Sequence, residues 1–352
     1  MKLEDLGYNA DLEESRVEQK LDSFAVGRVI SEHRERYKVR NEQREFEAEL
    51  LGNLRFTARG RSDFPAVGDW VAISEYEENK VLIHAIFPRR TMIEREAVGK
   101  QGEKQIIATN IDCAFIVQAV DRDFNVNRIE RYLTICYASA VKPVIILNKT
   151  DLIAESQLED ILSSVKERLG EVPVIAISNE SRAGYEQVLG HIRKGMTYCL
   201  LGSSGVGKST LMNNLSGREQ MQTGSISEHT NKGRHVTSHR ELIVLDSGGI
   251  IIDNPGMREV GIADASAGLD TTFEMIVSLS DQCRFDDCTH VHESGCAIRE
   301  AVENGEIDPA SYENYLKMER EKQHFESTVA ERRKKDKEFG KMIKTVMKNK
   351  KK

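Results

Sequence analysis

The chain has 352 residues, enough for two or three domains that each bury a core. Its formal net charge is -7, and no apolar run approaches the roughly 20 residues that cross a bilayer. The start, MKLEDLGYNADLEE, is acidic where a secretory leader is basic and then apolar, so a cytoplasmic protein with no membrane partner is expected.

An acidic average argues against a nucleic-acid partner, but the charge is unevenly spread. From Arg332 onward eleven Lys and Arg residues face only Asp336 and Glu338, which makes the C-terminus a basic arm. At the other end, residues 1–22 are expected to be flexible. Residues 24–87 then hold five short runs of β-type alternation, FAVGRVIS, RYKVR, EFEAELL, VGDWVAIS and KVLIHAIF, separated by charged or Gly/Asn-containing turns. Five strands in about sixty residues fit a small closed barrel such as the OB-fold, an RNA-binding scaffold, although an SH3-like barrel fits the same pattern.

From about residue 105 the texture becomes α/β. Apolar segments CAFIVQAV, PVIILNK, VPVIAIS, MTYCLLG and GIIIDNPG alternate with helical stretches NRIERYLTICYASA and QLEDILSSVKERL, as in a mostly parallel sheet covered on both faces. RELIVLD and GGIIID, joined through SGG, read as a hairpin within it. After Asp264 the pattern turns helical and charged. The expected division is a multidomain one: an all-β OB-fold barrel over 1–100, an α/β domain over 101–262, and a mainly helical domain with the basic tail over 263–352.

GSSGVGKST, Gly202 to Thr210, follows the strand TYCLL and opens the helix TLMNNL, the setting a phosphate loop requires. Gly202, Gly205 and Gly207 let backbone N–H groups of the loop, which also includes Ser203, Ser204 and Val206, turn toward phosphate oxygens. Lys208 would reach the β- and γ-phosphates, and Ser209, with Thr210 behind it, would hold Mg²⁺. In DNPG, Asp253 ends a strand where a carboxylate can bind the magnesium shell, and Gly256 can offer its N–H to the γ-phosphate.

NKTD, Asn148 to Asp151, follows PVIIL. The Asp151 carboxylate can accept from guanine N1–H and the 2-amino group, donors that adenine lacks in that arrangement. Lys149 can lie along the base, Asn148 can tie its loop to the phosphate loop, and Thr150 completes the tetrapeptide. ISNE is placed to supply a backbone N–H near Ser178 and Asn179 to the guanine oxygen. The order is permuted, base reader first, phosphate loop second and Asp-x-x-Gly last, which preserves a site defined in space.

Between phosphate loop and DNPG lies TGSISEHTNKGRHVTSHREL, long enough for a switch loop. Thr237, or alternatively Thr230, is expected to reach magnesium. Met257 stands where many GTPases have the Gln that orients water, so intrinsic hydrolysis should be slow; His235 is the candidate substitute, with a solvated or RNA-facing histidine the other reading.

Cys113, Cys136 and Cys199 sit in apolar segments and read as buried free thiols. CRFDDCTHVHESGC instead crowds Cys283, Cys288, His290 and Cys296, a donor set for a closed structural zinc site; His292 is the rival nitrogen ligand.

Taken together, VGDWV, RRTMIER, QIIATNID, NRIERYL, ILNKTDL, GSSGVGKSTLMNNL, KGRHVTSHREL, IIDNPGMREVG and CRFDDCTHVHESGCAI closely resemble the bacterial RsgA (YjeQ/YloQ) family of circularly permuted GTPases, from about Gly27 to Tyr315. The resemblance implies OB, GTPase and zinc domains, late action in 30S ribosomal subunit assembly with 16S rRNA as partner, and GTP hydrolysis to GDP stimulated by that subunit. The chain departs from the family where its switch reads GRHVTS instead of a threonine-rich run, and where DNPG replaces the commoner Thr at the second position. A monomer is expected.

Overall fold

The computed structural model describes residues 1–33, 36–58, 60–96, 104–121, 124–217, 240–253 and 266–326. The basic arm, His235, Thr237, Thr230, Gly256 and Met257 lie outside them.

Residues 1–22 differ from the expected flexible lead. A 3-10 turn, Leu3–Leu6, precedes helix α1, Ala10–Glu18, whose N-cap Asn9 accepts the Leu12 N–H at 3.1 Å. Leu6 is fully buried in a cluster with Val26, Trp70 and Phe87, and Tyr8 meets Trp70 edge-on at 5.0 Å. The acidic composition hides four spaced apolar residues, Leu3, Leu6, Tyr8 and Leu12, that pack into or against this cluster.

The expected strands form β1 (Ala25–His33), β2 (Arg36–Arg40), β3 (Glu45–Leu50), β4 (Trp70–Glu77) and β5 (Lys80–Ile86), with a short helix α2 (Gly52–Thr57) between β3 and β4. The order β1-β2-β3-β5-β4 closes through a β1–β4 pairing, and β3 runs parallel to β5. A closed five-stranded barrel with this order and helix is an OB-fold rather than an SH3-like barrel. Alternation sets the faces: on β3 Phe46 and Ala48 point into the core and Glu45, Glu47 and Glu49 outward.

An additional hairpin, β6 (Met92–Glu96) with β7 (Lys104–Thr109), was not legible as strands and straddles the expected boundary at 100/101. The α/β part follows in chain order as β8 (Cys113–Ala119), α3 (Val126–Ala138), β9 (Lys142–Asn148), α4 (Glu155–Leu169), β10 (Val174–Ala176), α5 (Tyr185–His191), β11 (Thr197–Leu201), α6 (Lys208–Ser216), β12 (Arg240–Val244) and β13 (Ile250–Asp253). The strand order is β10-β9-β8-β11-β13-β12, parallel except for β12, which forms the expected hairpin with β13. Separate apolar clusters cover the two faces, one including Ile116, Leu133 and Ile145, the other Phe115, Ile146 and Leu211.

The edge strand β12 is not left open. Ser31 and Glu32 of β1 pair with Glu241 and Arg240, which joins barrel and α/β sheet into one eleven-stranded sheet. Arg28 reinforces the junction from inside: fully buried, it stacks on Trp70 and donates to the carbonyls of Leu6 (2.5 Å), Gly68 (3.1 Å) and Asn110 (3.3 Å). Three carbonyls and an aromatic face satisfy a cation that burial alone would penalise, and burial pulls its pKa down to about 10.

The C-terminal helices α7 (Ser266–Thr272), α8 (Glu274–Ser280), α9 (Ala297–Glu303) and α10 (Pro309–Glu326) enclose a core of Leu269, Phe273, Ile276, Ile298, Tyr315 and Met318. Helix α7 packs so closely on α3 that a Cβ on Gly268 would overlap the Thr134 carbonyl. Beside this contact sits Glu130, on α3 and 1% exposed. Its carboxylate accepts from Arg168 of α4 at 2.7 and 2.8 Å, from Asn314 at 2.6 Å and from the Ser311 hydroxyl at 3.2 Å. One buried carboxylate therefore ties α3, α4 and α10 together.

Candidate functional site

The motifs converge because the strands that carry them are parallel, so their C-terminal ends share one edge of the sheet. NKTD follows β9, the ISN segment follows β10, the phosphate loop follows β11, and Asp253 ends β13 beside it through the register Cys199↔Ile252. Chain connections run from β8 outward to β9 and β10 on one side, while β11 and β13 lie on the other. The crevice at this reversal is where open α/β sheets bind ligands.

The phosphate loop has the backbone its glycines allow. Gly202, Gly205 and Gly207 have φ of 143°, 81° and 97°, and a Cβ on Gly202 would overlap the Val117 carbonyl of β8. Gly207 caps α6, so the helix starts at Lys208 and its free N–H groups face the loop. The Lys208 ammonium donates to the carbonyls of Gly202 (2.7 Å) and Ser203 (2.5 Å), which holds a positive charge across the mouth of the loop. Val206 is buried beneath it in the same cluster as Leu211.

Asn148 makes the tie expected of it. Fully buried, it donates from Nδ2 to the Val206 carbonyl at 2.7 Å and accepts the Asn179 N–H at 3.2 Å. Lys149 adopts φ 69° and donates to Asp121, two residues past the end of β8, at 2.8 Å. Asp151 is exposed at the rim, with one carboxylate oxygen accepting from the Ser178 hydroxyl at 2.5 Å. Ser178 is buried, and its oxygen also accepts the N–H groups of Glu180 (3.2 Å) and Ser181 (3.1 Å). The Thr150 N–H donates to Ile177.

Four residues that support the predicted Asn179 and its neighbours, Tyr185, Asn214, Asp121 and Tyr132, escaped the sequence reading. Asn179 donates to the Gly207 carbonyl at 2.8 Å, the Tyr185 hydroxyl donates to Asn179 Oδ1 at 2.7 Å, and Asn214 of α6 donates to the Asn179 carbonyl (3.2 Å) and the Tyr185 oxygen (2.8 Å). Asp121 and Tyr132 complete the set, Asp121 through Lys149 and Tyr132 beside Ser203, with burial raising the Tyr132 pKa. A carboxylate closing the strand CAFIVQAVD was the one available signal; the others depend on folding.

The second cluster lies in the helical module. Cys283, Cys288, His290 and Cys296 bring one donor atom each within 4.8 Å of one another, and His292 is not among them. Cys283 and Cys296 sulfurs are 3.9 Å apart, and each lies 3.6 Å from His290 Nδ1. A tetrahedral zinc with Zn–S of about 2.3 Å needs sulfur edges of about 3.8 Å, so the donor set fits the ion. Burial lowers the His290 pKa, favouring the neutral imidazole that ligates. Glu293 closes the knuckle by accepting the N–H groups of Thr289, Val291 and His292, all at 3.1 Å. Cys113, Cys136 and Cys199 are buried free thiols; burial pushes Cys113 up to about 12.

Fold and site together define a circularly permuted GTPase: an OB barrel, a P-loop sheet with its base-reading loop earlier in the chain than its phosphate loop, and a Cys/His module. A profile described as RsgA GTPase matches residues 86–263, and an ABC transporter profile matches residues 185–346, a span that contains the same phosphate loop. The small ribosomal subunit biogenesis GTPase RsgA 2 of Lactiplantibacillus plantarum is 44% identical over 84% of this chain and 83% of its own. RsgA 1 of Bacteroides thetaiotaomicron is 39% identical over 98% and 96%. The crystal structure of YjeQ from Thermotoga maritima superposes with a TM-score of 0.62 at 27% identity, over 83% of this chain and 96% of that one. The chain belongs to the RsgA family of GTPases.

Proposed function

We propose that the protein hydrolyses GTP to GDP and phosphate while bound to the small ribosomal subunit, assists late maturation of that particle, and turns over slowly without it. The observation that carries this reading is Asn148, which wires the base-reading loop to the phosphate loop through Val206 and to the neighbouring loop through Asn179. Two loops far apart in sequence thereby face one nucleotide.

In this reading Asp151 accepts from guanine N1–H and the 2-amino group, and its bond from Ser178 fixes the carboxylate. Ser178 and Asn179 border the guanine oxygen, and Lys149, steadied by Asp121, lies along the base. Backbone N–H groups from Gly202 to Thr210 surround the phosphates, toward which Lys208 swings from the carbonyls it now caps. Ser209 and Asp253 would hold Mg²⁺, which neutralises phosphate charge when bound. Thr237, with Thr230 the alternative, joins them in the switch; Gly256 meets the γ-phosphate, and His235 orients water in place of the Gln absent at Met257.

A structural zinc at Cys283, Cys288, His290 and Cys296 holds the C-terminal module together. The distinct apolar cores support three units over 1–100, 101–262 and 263–352, with the β6–β7 hairpin shared across the first boundary. The barrel and the basic arm from Arg332 contact 16S rRNA. The chain acts as a cytoplasmic monomer without a membrane partner; among the described residues no helix is long and apolar enough to cross a membrane. GTP binding is transmitted through the connection after Asp253 to the zinc module, and hydrolysis releases the particle.

The base assignment is tested with Asp151→Asn. The variant should lose at least tenfold in GDP affinity and gain affinity for xanthosine diphosphate, whose 2-oxo group prefers a donor. Unchanged GDP affinity, or no gain for xanthosine diphosphate, would sink it.

A further inference from the structure

Oligonucleotides reach OB barrels most often over strands 2 and 3 and the loops between strands 1 and 2 and strands 4 and 5. Here those surfaces do not offer a net positive charge. On β2 and β3, Arg36, Lys38 and Arg40 are answered by Glu45, Glu47 and Glu49, with Lys38 paired in register with Glu47 and Arg40 bonded to Glu45 at 2.8 Å. The turn between β4 and β5 is acidic, with Glu75, Glu77 and Glu78 against Lys80. In the sequence between β1 and β2, Arg34 and Glu35 cancel.

The β3–β4 connection is different. Residues 51–62, LGNLRFTARGRS, hold three arginines and no acid in a chain of net charge -7. Its helix α2 is anchored: Leu54 packs against the barrel core, and the Leu51 N–H donates to the Ile83 carbonyl. Two residues beyond Leu54, about 200° around the helix, Phe56 is 91% exposed, well above every other large apolar side chain of the described residues. The far end is held as well, because Arg89 donates to the carbonyls of Ser62 (2.5 Å) and Phe64 (2.7 Å) while its guanidinium is fixed by Asp69, which is buried. The first acid, Asp63, turns its carboxylate back onto the Gly60 N–H.

An aromatic ring presented on a braced support among arginines is the combination that single-stranded RNA recognition uses: the ring stacks on an unpaired base and the guanidinium groups neutralise adjacent phosphates. We propose that the β3–β4 connection, through Phe56, Arg55 and Arg61, is the RNA-docking surface of the barrel, and that the strand 2–3 face is not. The proposal rests on the reading that the protein binds ribosomal RNA and adds where the barrel does so. A protein partner is the rival occupant, but a twelve-residue stretch whose sequence carries three arginines and no Asp or Glu suits a polyanion better than an average protein surface.

The test uses the full chain with zinc and a non-hydrolysable GTP analogue. Affinity is measured for purified small subunits and for unstructured RNA oligomers, comparing wild type with Phe56→Ala, Phe56→Trp, Arg61→Ala and Lys38→Ala. Phe56→Ala should weaken RNA binding roughly ten- to hundred-fold, with unaltered basal GTP hydrolysis and unfolding midpoint. Phe56→Trp should retain affinity, Arg61→Ala should lower the salt slope by about 0.7, and Lys38→Ala should change little. A Phe56→Ala variant that binds oligomers like wild type, or Lys38→Ala that loses as much, overturns the surface alone. Loss confined to whole subunits with oligomer binding intact assigns the surface to a ribosomal protein and also overturns it. Wild-type chain that binds neither subunits nor RNA overturns the functional reading, and the surface with it.

Discussion

Replacing Glu130 with Ala removes the carboxylate at which three helices meet. The pair is well desolvated, with side-chain exposures of 2% for Glu130 and 11% for Arg168. Breaking a buried ion pair from one side costs about 3–5 kcal/mol, because the remaining charge stays buried without its partner. Arg168 keeps Asp308 at 3.3 Å, but that carboxylate is 48% exposed and its contribution is screened by solvent. The low end of the range, about 3 kcal/mol, is therefore expected, roughly a hundred-fold in an equilibrium constant.

Urea unfolding of the zinc-loaded chain, followed by far-UV circular dichroism, measures this. Fluorescence is the wrong probe, since the single tryptophan, Trp70, lies in the barrel cluster and not at this junction. The double variant Glu130→Met with Arg168→Met should cost clearly less than the sum of the single replacements, since no charge is then stranded. Additive costs, or a loss under about 1 kcal/mol for Glu130→Ala, would refute the reasoning. The same residue has a pH signature. Burial raises the Glu130 pKa above the ordinary carboxylate value, outweighing the lowering by Arg168. The stabilisation that comes from binding this proton more tightly in the folded state is fully present below the unfolded carboxylate pKa and is lost as pH rises through the raised folded value, so the stability of wild type relative to Glu130→Gln should fall across that window. A flat difference would contradict the assignment.

Two further outcomes follow from the local geometry. Gly207→Ala places a Cβ onto the Asn148 and Asn179 side-chain amides at φ 97° and should weaken GDP binding at least tenfold, read by titration with a fluorescent nucleotide while circular dichroism shows an intact fold. Wild-type affinity would mean that the amide tie is dispensable. Purified protein should contain one zinc per chain by atomic absorption; its removal by a chelator, or Cys296→Ser, should lower the helical signal of α7–α10 and leave GDP affinity within about threefold. A helical signal indifferent to zinc would contradict a structural metal.

Much of the site was legible because its chemistry is local in the chain. A phosphate loop needs glycines at fixed spacing between strand and helix, and a zinc knuckle needs four donors within a short stretch, so GSSGVGKST and CRFDDCTHVHESGC announce themselves. What folding adds is not local. Glu130 lies within NRIERYL, where a charged residue on an amphipathic helix reads as solvated until Arg168 and Asn314 arrive from elsewhere in the chain. Tyr185 and Asn214 look like ordinary helical residues until both converge on Asn179. The β6–β7 hairpin was missed because MIERE and KQIIAT are short, charged at one end and separated by residues without a hairpin turn signal. The acidic start conceals Leu6 because its charges dominate the composition, whereas its packing depends on the spacing of Leu3, Leu6, Tyr8 and Leu12.

The central claim is that a permuted guanine site drives work on the small ribosomal subunit, and steady-state GTP hydrolysis with and without purified small subunits tests it most directly. Subunits should raise turnover at least tenfold at saturating GTP, and Asp151→Asn should abolish the response to GTP. Equal turnover in their presence and absence would contradict the account.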